Sequence, residues 1–190
     1  MHALAIHGEL LMTNLSRSLL LLPVVAAVTA GCGGPSVSFE VPVSGEARIP
    51  GASGGVLDQV LGSFGFDNLN NIDFDSTQEF ENNEVTRDHV SSAKLSSLTL
   101  TVTDPAGADF DWLDSITFTV AADDIDAVQV ASKDVANGVS EFDCDLDGVE
   151  LAPYVREQSF SIRTKADANN PPEDTTITID LVFDVVADVL

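Results

Sequence analysis

The residues able to do chemistry are few, and most are acidic. After residue 7 the only histidine is His89, which sits beside Asp88 in a polar stretch. A serine nucleophile needs a base to take its proton and a sharp turn to present it, as in Gly-x-Ser-x-Gly. That pattern is missing. Gly51-Ala-Ser53-Gly-Gly55 is a superficial cousin, without the strand before it and the robust helix after it. Zinc needs several His or Cys ligands, and the whole chain holds three His and two Cys. Carboxylates occur everywhere, so no pair stands out as a glycosidase dyad. The expectation is a protein that is not an enzyme, with no catalytic and no cofactor-binding residues.

Calcium is the sharpest positive hypothesis. Asp143-Cys-Asp145-Leu-Asp147-Gly148 matches the opening of a calcium loop, with hard oxygen ligands and a glycine at the sharp turn. The match then fails, because Tyr154 stands where the bidentate Glu of an EF-hand belongs. A plainer reading makes the three Asp the outward face of a strand whose inward face is Phe142, Cys144 and Leu146. Alternate side chains on an extended strand lie roughly 7 Å apart, too far to chelate one ion unaided. Asp109, Asp111 and Asp114 form a second acidic group, and Asp123, Asp124 and Asp126 a third. Either can line a rim that binds calcium, or consist of turn residues, which Asp favours for its local hydrogen bonding. No residue is assigned as a metal ligand. Trp112 and Tyr154 are the sole Trp and Tyr; a surface Trp would stack on sugar, whereas a core Trp is the commoner case.

These groups must be carried by strands. Apolar residues alternate with polar ones at Val37–Val43, Leu98–Val102, Ile116–Val120, Val128–Val130, Phe142–Leu146, Phe160–Ile162 and Ile177–Val185. Period two, with β-branched and aromatic residues on one face, is the pattern of half-buried strands. Pro42 inside the first run suits an edge strand. Turn signals punctuate the runs at Asp104-Pro105-Ala-Gly107, Asp123-Asp124, Asn137-Gly138, Asp147-Gly148 and Asn169–Pro172. The expected fold is mainly β: an antiparallel two-layer β-sandwich over 37–190 with one short helix, a β-barrel being the alternative. The helix is predicted over about 55–63, from the spacing of Val56, Leu57, Val60, Leu61 and Phe64 behind Ser53 as N-cap. Residues 75–92 read as a long polar loop around Phe80, Val85 and Val90, with room for a helical turn, and long loops in compact domains tend to bind something. Cys144 reads as a small buried apolar residue, with nothing basic beside it in sequence to activate its thiol. The closing run predicts a strand inside a sheet, whose truncation would be costly.

Residues 18–30, Ser-Leu-Leu-Leu-Leu-Pro-Val-Val-Ala-Ala-Val-Thr-Ala, form an apolar run behind Arg17. As a helix it would reach roughly 20 Å, short of a ~30 Å hydrocarbon core, so it fits the apolar part of a signal peptide. Small residues follow, then a cysteine. Val28-Thr29-Ala30-Gly31-Cys32 resembles the lipobox of bacterial lipoproteins, with Thr29 where the family prefers Leu. The resemblance covers only about the first 35 residues. It implies cleavage after Gly31 and lipidation of Cys32, and, because no Asp follows that cysteine, an outer-membrane destination. Residues 1–31 are then signal peptide, and 32–36 anchor and Gly/Pro/Ser linker. Met12-Thr-Asn-Leu-Ser-Arg17 makes a more compact positive leader than residues 1–11, so translation is expected to begin at Met12.

The charge balance narrows the partners. Thirty-one acidic against eight basic residues leave a net −23, a surface that repels phosphate backbones; nucleic-acid binding is excluded on that ground. Expected, then, is a non-catalytic, membrane-anchored lipoprotein of the cell envelope, held by its lipid, with a binding or structural module whose protein or glycan partner the sequence does not name. Two other roles compete with it: a calcium-stabilised adhesion or sugar-binding module, and a carrier of an apolar ligand.

Overall fold

The structure, a computed structural model, describes residues 34–52, 65–66 and 68–189. The predicted helix at 55–63, with Ser53 and Phe64, lies outside the described residues, as do Met12, the 18–30 run and Cys32.

Among the described residues eight antiparallel strands form two four-stranded sheets, and the architecture is a sandwich rather than a closed barrel. The first sheet runs β1 (Ser36–Ile49), β8 (Thr175–Asp188), β2 (Val90–Asp104), β5 (Glu141–Asp143) in spatial order. The second runs β6 (Asp145–Leu146), β4 (Ile125–Asp134), β3 (Leu113–Ala122), β7 (Phe160–Ala168). Among the described residues two short α-helices accompany them, α1 (Gln78–Asn82) and α2 (Ala152–Val155). No helix among the described residues is long and apolar enough to cross a membrane.

Alternation builds the core. In β8 every second residue from Thr175 to Ala187 is buried, and Ile177, Ile179, Phe183, Val185 and Ala187 are wholly so. β8 lies between β1 and β2, in register with both along nearly its full length. Pro42 lies on an edge strand, as its sequence position predicted. The Val189 N–H donates to the Pro35 carbonyl at 2.8 Å. In the antiparallel register that bond makes the odd residues of β1 the ones hydrogen-bonded to β8 and turns the N of Pro42 outward, so its missing N–H costs no bond between the two strands.

Two expectations need correction. The run Phe142-Asp143-Cys144-Asp145-Leu146 is not one strand. Its first part pairs with β2 of one sheet (Leu100 against Phe142), and its end pairs with β4 of the other (Ala131 against Leu146). The chain changes sheets at Cys144, which is why seven apolar runs become eight strands. Nor are residues 75–92 a loop with a single helical turn. A 3-10 turn at Phe74–Ser76, then α1, then a 3-10 turn at Arg87–His89 lead directly into β2. Phe80, Val85 and Val90 are buried. Phe74 meets Phe80, Phe160 and Phe183 at centroid distances of 5.6, 5.3 and 5.3 Å, and Phe39 stacks edge-on against Phe80 at 5.2 Å. Aromatic rings bury much area each and prefer such tilted contacts, so the segment is pinned to the core through its few apolar residues. Arg87 holds its polar side, with its guanidinium 3.4 Å from Asp73 and 3.3 Å from Asp75 and its N–H donating to Asp75.

The sandwich has two distinct ends. At one end lie Ser36, Asp188, the start of β2 at Val90, the Arg87–His89 turn, α2 and the Asp123-Asp124 hairpin. They are tied together by Arg156 donating to the Val90 carbonyl, Leu151 to the Ala93 carbonyl, and the Tyr154 hydroxyl to the Asp126 carbonyl. At the other end lie Ile49, Asp104–Trp112, Val135–Gly138 and Asn169–Thr175, joined by Phe110 N–H to Val139 O, Asn169 N–H to Trp112 O, and Ala52 N–H to Pro171 O. Gly51 belongs to this second end, where a Cβ would lie 2.5 Å from the backbone of Glu173.

Candidate functional site

The sheet change at Cys144 decides the fate of the three-aspartate run. Asp143 accepts from the Thr99 hydroxyl at 2.7 Å, Asp145 meets the Lys133 ammonium at 3.1 Å, and Asp147 accepts from the Gln129 side chain at 3.0 Å. Asp143 is therefore tied to β2 of the first sheet, and Asp145 and Asp147 to two separate residues of β4 in the second. No group of three His, Cys, Asp or Glu side chains among the described residues is placed to hold a metal ion. Of the other two acidic groups, Asp109, Asp111, Asp123 and Asp124 lie outside the strands, while Asp114 and Asp126 stand near the starts of β3 and β4. Asp109 accepts from the N–H of Asp111, and Asp111 accepts from the N–H of Gly138. Asp124 adopts φ 59° at the β3–β4 hairpin, a conformation Asp tolerates better than most residues.

The remaining singled-out residues are placed as follows. His89 is half-buried, and its Nδ1 lies 3.3 Å from the Thr86 hydroxyl in the turn before β2. Trp112 and Tyr154 are both in the core. Cys144 is buried, as its place in an apolar alternation suggested. Burial pushes its thiol from the ordinary 9.0 up to about 12, because a thiolate there would lose its water; Lys133 opposes this, and Asp145 and Asp143 add to it.

Two outcomes follow for Cys144. Iodoacetamide at pH 8 should leave it unmodified in the native protein and alkylate it rapidly in urea; equal rates in both conditions would contradict its burial. The unfolded chain releases the proton near pH 9, whereas the folded chain keeps it to about 12. The folded state binds the proton more tightly, so the contribution is constant below pH 9 and stability falls above it, by at most about 1.4 kcal/mol per pH unit. Urea melts at pH 8 and pH 10.5, compared with Cys144→Ala, measure that slope.

One surface feature gathers polar groups from distant strands. A shallow depression of ≈ 520 Å³ opens on the outer face of the first sheet, lined by Ser38, Glu40, Ser92, Lys94, Asp184 and Val186, with Phe39 beneath. Register places Glu40, Asp184 and Lys94 in one row across β1, β8 and β2. Beside it, Glu150 accepts from the Ser92 hydroxyl at 2.7 Å, the Ala93 N–H at 2.7 Å and the Ala152 N–H at 3.0 Å. Burial opposes ionisation of Glu150. The N–H of Ala93, the Ser92 hydroxyl, the N–H of Ala152 and the nearby Lys94 charge together outweigh it and hold the carboxyl below its usual range. A carboxylate so held is a weak base, and its hydrogen bonds lock α2 to β2 rather than activate Ser92. The row sets two carboxylates beside one ammonium and offers them for polar contact. Nothing in the sequence marked it, because its members come from strands some 140 residues apart.

No protein-family model matches the chain, and no curated protein matches its sequence.

Proposed function

We propose that this chain is a lipid-anchored envelope lipoprotein, held to the outer membrane through Cys32 and presenting a non-catalytic β-sandwich as a binding or structural module. The observation that carries this reading is the lipobox-like Val28–Cys32 behind an apolar run, with β1 beginning only four residues after the cysteine. Two features of the domain support a non-catalytic role. His89 serves a turn, and the one Ser–carboxylate pair near the surface depression is committed to backbone hydrogen bonds. The aromatic cluster of Phe39, Phe74, Phe80, Phe160 and Phe183 fills the interior and favours this reading over an apolar-ligand carrier. The separate partners of Asp143, Asp145 and Asp147 likewise weigh against calcium-stabilised adhesion.

Cys32→Ser tests the proposal. Two or three acyl chains anchor a protein stably, whereas none leaves it in the aqueous phase. The natural protein should partition into detergent and carry a lipid-sized mass increment on its N-terminal peptide. The variant should lose both. Unchanged partition and mass would overturn the proposal.

A further inference from the structure

We infer that the sandwich stands end-on to the membrane, with the end that carries Ser36, Asp188, the Arg87–His89 turn and the Asp123-Asp124 hairpin facing the lipid surface. This rests on the lipidation of Cys32 proposed above.

The tether sets the distance. Four peptide steps separate Cys32 from Ser36, where β1 begins, and four steps span at most about 14 Å fully extended. The β1 start is therefore held within that reach of the acylated residue. β1 then runs 14 residues away from it, about 43 Å at strand rise. Ser36 pairs with Asp188, and Val90 pairs with Ala187. The rigid register therefore brings the start of β2 and the end of β8 to the same end. The Arg156–Val90 and Tyr154–Asp126 bonds carry the second sheet's Asp123-Asp124 hairpin there too.

The faces argue against lying flat. The outer surface of the first sheet shows Glu40, Glu46, Asp143, Asp180 and Asp184 against Arg48 and Lys94, and that of the second shows Asp134, Asp145 and Asp167 against Lys133, Arg163 and Lys165. Pressing either face onto headgroups would strip water from all of these charges at once, while Asp145 already has its partner in Lys133. The end presents a smaller footprint, with Asp88, Asp123, Asp124 and Asp188 beside Arg156 and with Arg87 already paired to Asp73 and Asp75. The Asp104–Trp112, Val135–Gly138 and Asn169–Asp174 segments are then the part of the domain farthest from the bilayer, where a partner meets it first.

The test uses the full lipidated protein in vesicles of phosphatidylethanolamine and phosphatidylglycerol carrying an acceptor dye on the headgroup. Buried Cys144 does not react in the folded protein, and Cys32 is blocked by its lipid. Asp188→Cys and Asn137→Cys therefore each give one labelling site, both at exposed positions. Energy transfer to the headgroup dye should be strong from position 188 and several-fold weaker from position 137. Equal transfer in a protein whose mass shows the lipid would overturn the orientation and leave the anchor standing. Absence of the lipid by mass would overturn both.

Discussion

Phe183→Ala should destabilise the domain by about 3–5 kcal/mol, the range for deleting a fully buried aromatic side chain. Phe183 is wholly buried on β8, opposite Val41 of β1 and Leu95 of β2. Its ring lies 5.3 Å from Phe74 and 6.0 Å from Phe160. The substitution therefore removes the contact that joins both sheets to the 74–90 segment. Neighbouring backbone on a central strand is hydrogen-bonded on both sides and cannot collapse into the space. Urea denaturation of the protein beginning at Gly33 measures the loss. Val182→Ala is the control: its side chain points outward and is only half-buried, so it should cost less than about 1 kcal/mol. Similar losses for the two substitutions would contradict the inward phase of β8.

Removing residues 183–190 should abolish folding altogether. The deletion takes Phe183, Val185 and Ala187 out of the core. It also leaves Ser36–Val41 of β1 and Val90–Leu95 of β2 without the strand that separates and pairs them. Folded domains keep only about 5–15 kcal/mol in reserve, less than the loss of several buried side chains and two rows of backbone hydrogen bonds. Circular dichroism and limited proteolysis report the result. A protease-resistant core with native strand signal would show that β8 ends matter less than its central register implies.

Part of this architecture was legible because β-strands write their burial with period two. β1 and β8 alternate without interruption, and their sequence runs fell inside the observed strands. Pro42 identified an edge through its missing donor, and Cys144 identified itself as core by its phase. Where the phase breaks, the reading shortened. Ala93 and Leu95 are buried at odd positions and Leu98 and Leu100 at even ones, because a bulge between Leu95 and Ser97 shifts the register. Only the second half of β2 could therefore be seen. In β4, consecutive Val130 and Ala131 are both buried beside another irregularity, so a strand of ten residues read as a pair of valines.

The sequence by itself determined the two-layer β class, the burial of Cys144 and the excess of acid that shapes every surface of the protein, since each depends on local period or on composition. Only tertiary structure decided that Phe142 and Leu146 belong to different sheets, that the polar 75–92 segment is held through Phe80 by Phe39 and Phe74, and that Asp143, Asp145 and Asp147 answer to Thr99, Lys133 and Gln129. Those outcomes depend on which distant strand comes alongside, and a strand's own alternation carries no record of its neighbour.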